Sequence, residues 1–238
     1  MPALKKNIEN AIIHIGERSS VIHSTVIAFG PIKLGRKSYI GPYCVLGFPA
    51  NEELLQQQRA QRGKRVSISK MVTVGANTNL LSHVVVGEET TIGGNVWCDH
   101  HTYIGCSTKI DHHVQIMYGT RIYDRVQIKE NCWIGGFICN DAVIEANSIV
   151  MGKLIHKFIE ADEEQPEKAP IVREGAFVGM NAIVIGDVEV GTMAYISAGA
   201  VLTKSANPGR LYVGVPARDV GPAPSAFRNK MMRRKRNG

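Results

Sequence analysis

The sequence predicts an all-β protein, a parallel β-solenoid built from six-residue rungs, and three observations lead there. From Val74 an apolar residue returns every sixth position through Leu80, Val86, Ile92, Cys98, Ile104, Ile110, Ile116, Ile122, Ile128 and Ile134, and the same step continued reaches Asn140 and Ala146. Four residues after each stands a small or β-branched residue, from Thr78, Val84 and Thr90 to Ile138, Ile144 and Val150. Three residues after come Asn77, His83, Asn95, His101, His113 and Asn131, and later Asn181, Asp187 and Gly199, all residue types that accept a positive φ. A helix would carry a six-residue repeat around its surface. Short extended segments joined by fixed corners instead return it inward each time.

In chain order the register opens with Ile15, Val21 and Ile27, gains one residue, and resumes at Leu34, Ile40 and Leu46. Residues 48–65, FPANEELLQQQRAQRGKR, are polar and break it, so they read as a loop thrown out from the coil that carries Arg59, Arg62, Lys64 and Arg65. The long run over 74–150 follows. A second break, KLIHKFIEADEEQPEKAPI at 153–171, is acidic and ends at a proline. The register returns with Val172, Val178, Val184, Val190, Ile196 and Leu202, after which AFRNKMM reads as a short helix across the last coil, capping an otherwise open edge. The expected organisation is a β-helix domain over 1–220 with loops at about 48–65 and 153–171, followed by a basic tail at 221–238. With three hexads per turn, Asn77, Asn95, His113 and Asn131 stack as one corner column, which makes His113 a turn residue.

Composition excludes several classes. The chain has 238 residues, 44% apolar and 21% charged, an ordinary globular balance. It has no uninterrupted apolar run of the ~18 residues that a spanning helix needs, and MPALKKNIEN lacks the apolar core of a signal peptide, so the expectation is a cytoplasmic protein with no membrane span. Cysteines at 44, 98, 106, 132 and 139 show no CxxC pairing that would indicate a zinc site or a disulfide framework. Of the formal charge of +7, six positive charges lie in the last eleven residues without interleaved aromatics, so no nucleic-acid partner is expected.

The IGxxxx hexads (IGPYCV, IGGNVW, IGCSTK) and the ending ISAGAVLTKSANPGRLYVGVPAR resemble the left-handed β-helix hexapeptide-repeat acyltransferases, among them the nucleotide-aminosugar N-acyltransferases and the galactoside, maltose and xenobiotic acetyltransferases. The left hand comes from this resemblance, since the usual crossover rule gives the opposite one. The resemblance implies a homotrimer with active sites between subunits and acetyl-CoA or another acyl-CoA as co-substrate. That co-substrate would lie along the C-terminal coils, bound by Ser197, Ala198, Lys204, Gly214 and Arg218. It implies no metal, and a small-molecule acceptor acylated on an amino or hydroxyl group with histidine as general base.

Two histidines are candidates. His156 in IHKF stands where the repeat ends and the second loop begins, as in the galactoside, maltose and xenobiotic enzymes; His112 in IDHHV resembles the histidine of the lipid A and bacillosamine-type enzymes. Two other function classes stay open. One is a γ-class carbonic anhydrase-like metal enzyme, whose histidine pair sits five residues apart, a spacing absent here. The other is a non-catalytic β-helix used for binding or assembly.

Overall fold

The computed structural model describes residues 19–50, 70–157 and 168–227, together with the backbone of 12–15. Within these the chain winds through three sheets, parallel and in strict rotation as far as Val201–Leu202, so that up to there every third strand is a neighbour. The first sheet runs from Ile12–Ile15 to Glu189–Val190 and the third from Ile27–Ala28 to Val201–Leu202, nine strands each; the second has eleven strands. Nine turns of a three-sided prism result. The first, second and third corners below are those leaving the first, second and third sheets.

Most strands are two residues long, one facing in and one facing out. The inward column of the second sheet, Leu80, Cys98, Ile116 and Ile134, is fully buried, and each isoleucine removed from water contributes about 1.5–3 kcal/mol. The second inward row, four residues on, is partly hydroxylated, and each hydroxyl is satisfied. Thr78, Thr90 and Thr108 donate to the carbonyls of Gly93, Gly105 and Tyr123 in the next coil at 2.7–2.9 Å. Threonine thus fills a position that apolar valine also fills, because its oxygen reaches a carbonyl that the coil geometry places there.

Corners work as the repeat predicts. Asn77, His83, Asn95, His101, His113, Asn131 and Asn181 all have φ between 55° and 59°. The same conformation holds for Lys37, Tyr43, Glu89, Ser107, Arg125 and Met193, so coil closure overrides residue preference. Asp187 departs from the expectation, because Gly186 takes the positive φ, 82°, in its place.

The register differs from the sequence reading in two places. In the first coil Ile22 pairs with Ile40 and Ala28 with Leu46, so the inward residues are Ile22 and Ala28, and no residue is gained before Leu34. Val21 and Ile27 point outward and are 60% and 45% exposed. After Ile134 two second corners are shortened. Ile122 pairs with Ile138, and Ile138 with Leu154, sixteen residues apart instead of eighteen. The inward residues are therefore Ile138, Ile144, Val150 and Leu154, while Asn140 and Ala146 stand on corners. Gly136 at φ 89° and Gly152 permit this, since a Cβ on either would strike the backbone carbonyl of the following coil.

The chain leaves the solenoid twice, both times at the third corner. The first departure follows Val45–Phe48 and returns at Val72–Val74; Arg59, Arg62, Lys64 and Arg65 lie outside the described residues. The second follows Lys153–Ile155, a third-sheet strand inside the span expected to be loop, and returns at Ile171–Val172. At the far end Arg218–Pro222 pairs antiparallel with Arg210–Val213 and closes the edge of the second sheet, a cap the sequence did not announce. A helical turn at 225–227 follows, and Phe227 packs edge-on against Phe177 and Tyr195.

Candidate functional site

His112 stands at the first corner, two residues past inward Ile110. Its Nδ1 accepts the backbone N–H of Gly94, one coil below, at 2.9 Å. An imidazole nitrogen that accepts an N–H cannot at the same time take a proton from a substrate, so only Nε2 is left to face solvent. His100 in the similar Asp-His-His of residues 99–101 does the same for the N–H of Ser82 at 3.1 Å. Asp111, adjacent to His112, pairs with Lys129 at 3.6 Å. A shallow recess of about 410 Å³ lies beside His112, opened by the small residues Gly75, Ala76, Gly93 and Gly94.

His156 occupies the equivalent position of the third corner, two residues past inward Leu154, and is half-buried. The corner must open here for the insertion to leave. Gly186 lies in the next coil, and a Cβ on it would meet the Lys157 Cβ at 2.9 Å, so glycine clears the exit. Lys204 is exposed at the same corner two coils further on, about 10 Å along the axis at the 4.7–4.9 Å strand spacing.

Ser197, Ala198 and Gly214 collect at the second corner of the last coils. The Ser197 N–H donates to the Tyr212 carbonyl at 2.9 Å, and the Val201 N–H to the Gly214 carbonyl at 3.1 Å. Small residues are required here, since a Cβ on Gly179 would strike the backbone of Ala198. Arg218 is exposed opposite Val213 in the antiparallel cap. Within one chain, then, the expected coenzyme residues other than Lys204 lie together, His156 and Lys204 share a different corner, and His112 lies on the remaining one.

The column below His156 carries functional groups that sequence reasoning missed. Asp124 Oδ1 accepts the Cys106 N–H at 2.7 Å, and Asn140 Oδ1 accepts the Asp124 N–H at 2.9 Å. These positions fall two residues past Ile104, Ile122 and Ile138, and only the corrected register aligns them with His156. Burial pushes the Cys106 thiol up to about 11 and that of Cys98 to about 12, which leaves both poor nucleophiles. Among the described residues no three His, Cys, Asp or Glu side chains gather as a metal site, and no helix is long and apolar enough to cross a membrane.

No family model matches the chain. A segment of 58 residues, 24% of the chain, is 50% identical to a putative serine acetyltransferase of Schizosaccharomyces pombe and covers 22% of it. A segment of 55 residues, 23% of the chain, is 42% identical to the serine acetyltransferase of Escherichia coli and covers 20% of it. The chain thus spans about a fifth of the length of the curated relatives it matches. Among solved structures, the UDP-N-acetylglucosamine acyltransferase from Campylobacter jejuni aligns over 92% of this chain and 81% of its own at 16% identity and a TM-score of 0.49. In repeat, fold and matched sequence the chain is a parallel β-solenoid protein that resembles the hexapeptide-repeat acyltransferases.

Proposed function

We propose that this chain is an acyl-CoA-dependent acyltransferase that works as a homotrimer, with acetyl-CoA or another acyl-CoA as donor. The acceptor is an amino or hydroxyl group of a small polar molecule, a sugar or nucleotide sugar, and His156 is the general base. One observation carries the choice of base. His156 is half-buried at the mouth of an insertion, while the Nδ1 lone pair of His112 is committed to Gly94. In the reaction His156 takes the proton from the attacking N–H or O–H as that atom bonds to the thioester carbonyl carbon. The C–S bond then breaks and the proton passes to the departing thiolate of coenzyme A. Exposed Lys204 and Arg218 are suited to coenzyme phosphates.

The outer surfaces support assembly. The first sheet turns Thr73, Thr91, Lys109 and Gln127 outward and the second Trp97, Trp133, Phe177 and Tyr195, while the third alternates Val85, Tyr103, Phe137 and Ile183 with exposed Arg121 and Lys153. The aromatic-rich face of the second sheet suits burial against a neighbouring subunit in a closed ring.

The test is thiol release from acetyl-CoA across a panel of amines, sugars and nucleotide sugars, with light scattering on the same sample. His156→Ala is expected to stay folded and lose about two to four orders of magnitude in turnover. Full turnover in that variant, or the mass of a single chain, overturns the corresponding part of the proposal.

A further inference from the structure

We propose that the outer face of the third sheet next to His156 is a shelf for an acceptor bearing both a ring and an anionic substituent, in the simplest case an amino-sugar phosphate. What is done to that acceptor rests on the acyltransferase proposal; what is bound rests on the surface. Strand pairing aligns the outward residues coil by coil away from His156 as Lys153, Phe137, Arg121 and Tyr103. Tyr123 sits beside Arg121 at the corner, its ring centroid 4.8 Å from that of Phe137 and 5.7 Å from that of Tyr103. The three half-exposed rings form one strip.

Each group offers a specific contact. Tilted aromatic rings present flat apolar faces to the C–H face of a sugar. Arg121 and Lys153 are exposed and form no ion pair among the described residues, whereas neighbouring Arg125 is held by both oxygens of Asp141 at 2.7 and 2.8 Å. A guanidinium grips a phosphate bidentately. Asp124 commits Oδ1 to the Cys106 N–H, which leaves Oδ2 to accept from a hydroxyl or ammonium. Burial, and then the Asp124 carboxylate, raise the Tyr103 phenol above its ordinary range, so it remains a donor. Tyr123 lies two coils from His156, about 10 Å at the usual strand spacing, which is the reach of a hexose with one phosphate.

Calorimetry on the full chain tests this with glucosamine 6-phosphate, glucosamine and L-serine as probes, and with acetyl-CoA titrated separately. Expected are at least tenfold tighter binding of glucosamine 6-phosphate than of glucosamine, loss of that difference in Arg121→Gln, and roughly tenfold weaker binding of both sugars in Tyr123→Ala, with acetyl-CoA binding and thermal midpoint unchanged. Equal affinity for L-serine, wild-type binding in both variants, or no titration by either sugar overturns the shelf. If acetyl-CoA binds and the sugars do not, the shelf alone fails. If the sugars bind as expected while acetyl-CoA does not and no thiol is released, acyl transfer fails and the shelf stands.

Discussion

Replacing His112 separates scaffold from chemistry at the first corner. Gly94 is buried, and its N–H is capped by His112 Nδ1 at 2.9 Å. Deleting the acceptor of a buried N–H costs about 1–3 kcal/mol. His112 is itself exposed, so water can enter the vacated place, and His112→Ala is expected at the lower end of that range, about 1 kcal/mol. Asparagine already does the same work elsewhere, since Asn140 Oδ1 caps the Asp124 N–H at 2.9 Å. His112→Asn should therefore stay within about 0.5 kcal/mol of the parent, the usual range for a tolerated surface change. Urea unfolding reports the stabilities, and thiol release from acetyl-CoA reports turnover, which both variants should retain. An alanine variant as stable as the parent would refute the capping role. A folded His112→Asn variant with turnover down a hundredfold would move the base to His112.

His113→Asn should be silent in stability and turnover, because Asn77, Asn95 and Asn131 hold the same corner conformation at φ 55–58°; a folded but inactive variant would show that the ring has work beyond the turn. Gly119→Ala meets open space at φ 66° and should lose only the roughly 1–2 kcal/mol of a left-handed alanine. Gly136→Ala adds a collision with the Gly152 carbonyl and should fall well below it in thermal midpoint, so equal midpoints would contradict the short-corner packing. All five cysteines are buried, and burial holds Cys44, Cys98 and Cys106 at about 11, about 12 and about 11. Iodoacetamide at pH 8 should leave the native protein unlabelled by mass spectrometry and modify it after denaturation, because the thiolate is the reactive form. Native labelling at Cys98 would contradict its burial.

Much of the architecture was legible because closure of a coil imposes the same demand every six residues. The inward column from Val74 to Ile134 and the asparagine and histidine corners follow directly from it. The first coil was misread because Val21-Ile22 and Ile27-Ala28 offer two apolar residues side by side. What decides between them is the partner row, where Val26 and Ile32 are buried. Past Ile134 the six-residue step falls on Asn140 and Ala146, while the second row falls on Ile138, Ile144 and Val150, and strand pairing shows that this second row has become the inward one. The candidate site was less legible for the same reason. Asp124 and Asn140 join the column of His156 only when two residues are removed from each of two coils. The aromatic strip was hidden too, since Tyr123 meets Tyr103 and Phe137 across coils and not along the chain.

Both departures from the prism begin and end at one corner, and the coils on either side still stack without slippage, Leu34 beside Val74 and Ile144 beside Val172. Each inserted stretch is therefore a detachable cassette. Its length and composition can be changed by an engineer while the rungs beneath keep their registration, because the coils meet each other and not the excursion.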